Sequence, residues 1–155
     1  MQGGFVSSEQ TMELYRQLRT SQDKYVYFIL AAVGAAIAFA LNQTQGLAIS
    51  ESQIPLGISI TSWGLSFFFG CQNLGYTNAM LYANAEMLKI QSGAHPDVGN
   101  HPQMVSAASQ GIRIAIERNI AKATKFGNLQ FRFLIIGVIS YVIWHTLEMW
   151  LRVQT

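Results

Sequence analysis

The sequence predicts an all-α integral membrane protein with three transmembrane helices and helical extensions in the cytoplasm. Half of the 155 residues are apolar and only 12% are charged, about half the charged fraction of a typical soluble domain. Charged residues are absent from 25–50, 52–85 and 133–147. Each gap contains an apolar stretch close to the roughly 20 residues that a helix needs to cross hydrocarbon.

The first predicted transmembrane helix, 25–43, follows an amphipathic N-terminal helix over 7–24. Ser7 and Gln10 have the spacing of a capping box, which indicates a helix start at Ser7 or Ser8. In lipid, small residues let helix backbones approach closely enough for dispersion to hold them together. We therefore expect helix packing or contacts between subunits at Ala31, Gly34, Ala35 and Ala38 of this helix and at Gly57 and Gly64 of the next.

The second predicted transmembrane helix covers 55–80 and extends to about residue 92. It begins at Pro55, because proline suits the first turn of a helix. Its later part is polar without being charged. Such side chains either join helices by hydrogen bonds or line a hydrated path, and the sequence leaves both open. They are Asn73, Thr77, Asn78 and Asn84.

A loop over 93–102, with two prolines and two glycines, separates the second helix from a predicted cytoplasmic helix over 103–126. Gly127 and Asn128 indicate a break before the third transmembrane helix, 129–151. Trp144 and Trp150 lie toward the end of this helix, as expected for an aromatic belt at the membrane surface.

The basic residues predict the orientation, because loops rich in lysine and arginine stay in the cytoplasm. The segment before residue 25 and the long segment 82–130 hold most of them, whereas 42–55 holds none. We therefore expect a protein of the cell inner membrane, with the N-terminus and 82–130 in the cytoplasm and the C-terminus outside.

The predicted cytoplasmic helix contributes basic residues for contact with lipid or another phosphate-bearing ligand. Arg113 and Glu117 are four residues apart, so they can partly neutralise each other. Nucleic acid is not expected as a partner, because no aromatic platform accompanies the basic residues. The basic residues are Arg113, Arg118, Lys122 and Lys125.

Three ionisable residues lie at the predicted membrane edges: Arg132, His145 and Glu148. Arg132 can extend to the phosphate headgroups, pair with Glu86 or Glu117, or form a ring of charge at a pore mouth. His145 and Glu148 share a helix face, which suits an interfacial role or a metal or proton site, but the third ligand of a catalytic metal is missing.

No sequence motif for catalysis, cofactor binding or metal binding occurs, so no enzyme, cofactor or metal is expected. With one cysteine, Cys71, the chain has no intrachain disulfide.

The first functional hypothesis is a symmetric homo-oligomer with the second or first helix nearest its axis. It would be a pore-forming or membrane-perturbing effector controlled through its cytoplasmic helices, with stress or antiviral defence as a hypothetical context. A non-conducting scaffold or accessory subunit that docks a soluble cytoplasmic protein is the alternative. An intramembrane protein that handles metal or protons is a more distant one.

Overall fold

A computed structural model describes residues 8–45, 51–99 and 101–153. It contains three long helices, α1 (Ser8–Gln43), α2 (Ile54–Gln91) and α3 (Pro102–Val153), and a 3-10 turn at Glu51–Gln53. No strand occurs among these residues, so the predicted all-helical class is confirmed. All three helices are long and apolar enough to cross a membrane.

The predicted N-terminal helix and first transmembrane helix form the single helix α1, without a break at residue 24. The capping residue Ser7 lies outside the described residues. In α2, Pro55 occupies the first turn, as predicted. Pro102 likewise begins α3, and the backbone N–H of Val105 bonds to the carbonyl of His101 at 2.9 Å.

The predicted break at Gly127 and Asn128 is wrong, because α3 continues through both residues for 52 residues in all. Gly127 instead gives room to a neighbouring helix, since a Cβ added there would lie 3.1 Å from Asn73 Nδ2. A helix keeps its backbone groups hydrogen-bonded, which apolar surroundings demand. The glycine therefore marks a close helix contact.

α2 and α3 form a long antiparallel hairpin, and α1 packs mainly against α2. The hairpin is antiparallel because Ser59 contacts Gly137 while Asn73 contacts Ala123. α1 is also antiparallel to α2, because Leu30 approaches Gly70 while Asp23 borders the same cavity as Thr77, so α1 and α3 run in the same direction. Residues 44–53 connect the helices at what we call the α1–α2 end, and residues 92–101 connect them at the α2–α3 end. The apolar core at the α1–α2 end consists of Ile29, Val33, Ala40, Leu56, Trp63 and Trp144.

Candidate functional site

A ladder of three hydrogen bonds joins α2 to the backbone of α3. Ser59 Oγ donates to the Gly137 carbonyl at 2.8 Å, and Ser66 Oγ donates to the Gln130 carbonyl at 2.8 Å. Asn73 Nδ2 donates to the Ala123 carbonyl at 2.7 Å. On both helices the bonded residues are seven apart. This heptad spacing keeps a seam in contact along two helices that supercoil left-handedly, so the ladder fixes the register of the hairpin.

Two glycines let bulky side chains enter this seam. A Cβ on Gly137 would lie 2.4 Å from Cδ1 of the Trp63 ring, and a Cβ on Gly70 would lie 2.6 Å from Gln130 Nε2. Trp63 and Gln130 are accordingly 5% and 4% exposed. The hairpin is therefore packed too tightly for either glycine to be replaced without movement.

Beside the ladder, aromatic rings hold the hairpin together toward the α2–α3 end. Phe69 lies between Phe126 and Phe133, with ring centroids 5.9 and 5.4 Å away. Tyr76 stacks on Phe126 at 5.5 Å, and Lys122 Nζ lies 5.0 Å from the centre of the Tyr76 ring. The predicted phosphate contact Lys122 is thus engaged by a cation–π interaction.

Three other basic side chains form what we call the basic stripe, Arg118, Lys125 and Arg132, on the outer side of α3. Arg132 follows Gln130 by two residues, and Lys125 follows Ala123 by two. Two residues rotate a side chain by roughly 200° around a helix, so the stripe faces almost directly away from α2. All three residues are exposed. Within the described part of the chain, none of them forms an ion pair.

The stripe reaches the level of the uncharged stretch of α1. Gln130 and Leu30 lie at about the same level, because the ends of both side chains reach Gly70 and side chains on parallel helices lean in the same direction. Leu30 is six residues, about 9 Å, past Lys24, the last charge before that stretch. Arg132 lies two residues, about 3 Å, further in the same direction. Its backbone is therefore about 12 Å beyond the level of Lys24, near the middle of the apolar stretch 25–41.

The apolar stretches of α1 and α3 are consequently staggered. Residue 25 of α1 lies at about the level of Lys125, whereas the uncharged stretch of α3 begins only at Phe133. The offset is eight residues, about 12 Å along the bundle. Any membrane that accommodates the whole apolar stretch of α1 therefore contains the level of Arg132 as well.

The two glutamates considered as partners for Arg132 form ion pairs with other residues of the chain. Glu86 lies 2.7 Å from Lys89 Nζ and 3.8 Å from His95 Nε2. Glu117 lies 3.7 Å from Arg113 Nε, which makes the ion pair anticipated from their spacing. The four basic residues predicted to contact phosphate thus separate into Arg113 and Lys122, which have partners, and the exposed Arg118 and Lys125.

The four polar residues predicted in the later part of α2 lie in different surroundings. Asn73 joins α2 to α3, as described above. Thr77 borders a cavity of about 670 Å³ between the three helices, together with Asp23 and Val26 of α1 and Ile120 and Thr124 of α3. Asn78 and Asn84 are exposed. The structure therefore brings together Asn73 and Thr77, but not Asn78 or Asn84.

The predicted small-residue contacts face away from the rest of the chain. Ala31, Ala35 and Ala38 are exposed, and a Cβ on Gly34 would meet nothing within 4 Å. α1 instead packs through its other side, where Ile29, Val33 and Ala40 are buried. Gly57 and Gly64 are exposed on the side of α2 that faces away from α3, with open space around them. Contacts between copies remain a prediction for all six residues.

His145 and Glu148 occupy the part of α3 near the α1–α2 end. His145 is exposed, and its ring lies parallel to that of Tyr141 at 6.4 Å. Among the described residues, no group of three or more potential metal ligands occurs. The interfacial role and the metal or proton site therefore both remain predictions for His145 and Glu148.

The ladder residues Ser59 and Ser66 and the buried Gln130 were not among the residues predicted from the sequence. A signal for them exists, because Ser59, Ser66 and Asn73 recur every seven residues through an otherwise apolar helix. Such a period is typical of a helix seam. Asn73 is the most polar of these residues, whereas the two serines lie within the apolar part of the helix and are less conspicuous.

No protein family matches this chain, and neither the curated proteins nor the solved structures include a significantly similar one.

Proposed function

We propose that the protein is a homo-oligomeric pore of the cell inner membrane, with a hydrated path beside α3. The observation that carries the proposal is the position of Arg132, exposed and without an ionic partner in the described chain at the level of the apolar stretch of α1. A charged side chain within the hydrocarbon is costly, and such residues usually face a bundle interior or a water-filled cavity. Further copies of the chain would supply that environment.

The open small-residue faces support association between copies. Helices in lipid gain no hydrophobic stabilisation from each other, so close packing against small residues is a main source of affinity. Gly57 and Gly64 on α2 and Ala31, Ala35 and Ala38 on α1 offer such faces, and nothing in the described chain covers them. Closed cyclic symmetry is the ordinary way to cover such faces, and the proposed pore needs a ring of at least three copies to enclose a path.

The proposal places α3 nearest the axis of the ring, rather than α2 or α1 as the sequence suggested. The reason is that the basic stripe lies on the side of α3 that faces away from α2. The inner sides of α2 and α1 are occupied within the chain. In this arrangement the small-residue faces of α1 and α2 contact neighbouring copies.

The proposed orientation places the N-terminus and residues 82–130 in the cytoplasm and the C-terminus outside. A reporter fused after Thr155 should then be active outside the membrane, and one inserted near Gly99 should be active inside. Both reporters on the same side would contradict three membrane crossings.

Accessibility of a cysteine at position 132 tests the pore directly. In Cys71→Ser protein reconstituted in liposomes, Arg132→Cys should react with a membrane-impermeant thiol reagent, and the reaction should reduce ion flux. Ile139→Cys, one heptad further on the same side of α3 and without a charge, measures how far water extends. Failure of Arg132→Cys to react, or the absence of flux from an assembled protein, would contradict a hydrated path.

A non-conducting scaffold is the second candidate, and one observation favours it. Large apolar residues are exposed beyond the apolar stretches, on the parts of α2 and α3 toward the α2–α3 end: Tyr82, Leu88 and Ile114 are 70%, 67% and 60% exposed. Such residues suit a soluble protein partner. An assembled protein that carries no flux but retains a cytoplasmic partner only when these residues are intact would favour this function.

A further inference from the structure

The basic stripe has one sign of charge over its whole length. From Arg118 to Arg132 it spans 14 residues of α3, about 21 Å. The only carboxylate between Pro102 and Leu147 is Glu117, which lies 3.7 Å from Arg113. Lys122 is held over the Tyr76 ring on the hairpin. The side of α3 that faces away from α2 therefore has a net positive charge, because its single carboxylate, Glu117, is paired with Arg113.

The spacing of the stripe gives it a constant direction. Arg118, Lys125 and Arg132 are seven residues apart, the same interval as the ladder residues Ala123, Gln130 and Gly137 that face α2. Since the ladder shows that α3 keeps this period against α2, positions in the stripe all point away from the hairpin. Copies arranged around an axis would thus align their basic residues into rings about 10 Å apart.

We propose that the basic stripe lines the path and selects small inorganic anions, with Arg132 as the deepest ring. This inference rests on the proposed function and names the ions for that pore. Rings of arginine or lysine are the arrangement that anion pores use. At the level of Arg132 the surroundings are apolar, where electrostatic interactions are screened less than in water. The rings therefore attract anions and repel cations.

The entry to this path has the same sign. Arg118 lies toward the α2–α3 end and Lys125 near the level where the uncharged stretch of α1 begins. A basic mouth raises the local concentration of anions and accelerates their entry. Lipid phosphate has the same chemistry as a permeating anion, so the experiment must separate the two sources.

The test measures the reversal potential of the full-length protein in a neutral phosphatidylcholine bilayer with a KCl gradient. We expect the potential to shift toward the chloride equilibrium value. Arg132→Gln should lower the chloride-to-potassium permeability ratio several-fold, and Arg132→Glu should shift the preference toward potassium. Lys125→Gln, nearer the mouth, should lower the ratio less and gives a second variant in case Arg132→Gln does not assemble.

The double variant Arg113→Gln, Glu117→Gln is the matched control, because it removes an ion pair from the same helix without changing the net charge. It should leave the ratio unchanged. Assembly of each variant is checked by native mass spectrometry.

The possible outcomes separate the two proposals. A conducting wild-type protein that prefers potassium, or shows no preference, overturns the anion inference but leaves the pore. An assembled protein that does not conduct overturns both. If Arg132→Gln and Lys125→Gln weaken binding to phosphatidylglycerol vesicles without changing the permeability ratio, the stripe is a lipid contact and the inference is wrong.

Discussion

The two sides of α2 have similar residues and different surroundings. On the side that faces α3, Ser59, Ser66 and Asn73 recur every seven residues, and each donates a hydrogen bond to the α3 backbone. On the opposite side Gly57, Gly64 and Cys71 recur at the same interval, and all three are exposed. We call the side that packs against α3 the closed side of α2, and the exposed opposite side the open side.

This difference shows what small residues at heptad spacing can and cannot indicate. The spacing predicts that a helix side is suited to close packing, since only small residues allow backbones to approach. It does not identify the partner. On the closed side, Trp63 and Gln130 are the bulky side chains that fill the space beside glycines of the facing helix. On the open side no described residue has that role.

The largest expected effect comes from adding a side chain to the closed side of α2. Gly70→Leu should destabilise the chain by about 3 kcal/mol, because Gly70 is buried and four added carbons must displace the ends of Gln130 and Leu30, which lie 2.6 and 2.7 Å from the position of a Cβ. The free energy of unfolding can be measured by titration with sodium dodecyl sulfate in mixed micelles.

Gly64→Leu is the matched control, six residues away on the same helix, where an added Cβ meets nothing within 4 Å. We expect it to leave the stability of the single chain unchanged. Equal destabilisation by Gly64→Leu and Gly70→Leu would contradict the distinction between the two sides.

The order of the membrane-length helices and the starts of α2 and α3 could be predicted from the sequence, because these features depend on local composition. Charge-free stretches and the prolines at 55 and 102 indicate where membrane-length helices begin. The break at Gly127 was predicted wrongly. Glycine has a low helix propensity, and the sequence looks the same whether it ends a helix or makes room for a neighbouring helix. Only the position of Asn73 on the other helix separates the two cases.

Association between copies should depend on the open side of α2 and on the exposed small residues of α1. Gly64→Leu and Ala35→Leu should weaken association between copies while the chain stays folded, because their side chains would occupy space reserved for a neighbouring helix. Native mass spectrometry in mild detergent and in lipid nanodiscs gives the subunit number.

Gly64→Ala provides a graded comparison, since one carbon should disturb association less than four. If Gly64→Leu and Ala35→Leu both assemble like the wild type, these sides face lipid. If the wild-type protein is a monomer in both environments, the proposed homo-oligomer is wrong.

The candidate site could be predicted only in part. The sequence identifies Arg132 as a charge beside an apolar stretch of its own helix, which places it at a membrane edge. Its depth depends on the offset between α1 and α3, and that offset follows from the contacts of Gly70 with Gln130 and Leu30. Such long-range contacts have no local signal. For the same reason the sequence could not show that Glu86 and Glu117 have other partners.

The smallest expected effect comes from removing one bond of the ladder. Ser66→Ala deletes the bond to the Gln130 carbonyl, at a serine that is 0% exposed. Hydrogen bonds between transmembrane helices contribute about 0.6 kcal/mol on average, because the separated helices also find polar partners. We therefore expect a loss of about 0.6 kcal/mol in the free energy of unfolding, well below the effect of Gly70→Leu.

Thr61→Ala is the control for this loss, since Thr61 is an exposed hydroxyl residue on the open side of the same helix. It should not change the stability of the single chain. The triple variant Ser59→Ala, Ser66→Ala and Asn73→Ala should lose close to three times the single value, because sites seven residues apart, about 10 Å, act nearly independently. A triple loss no larger than that of Ser66→Ala would mean that glycine packing, and not the ladder, holds the closed side together.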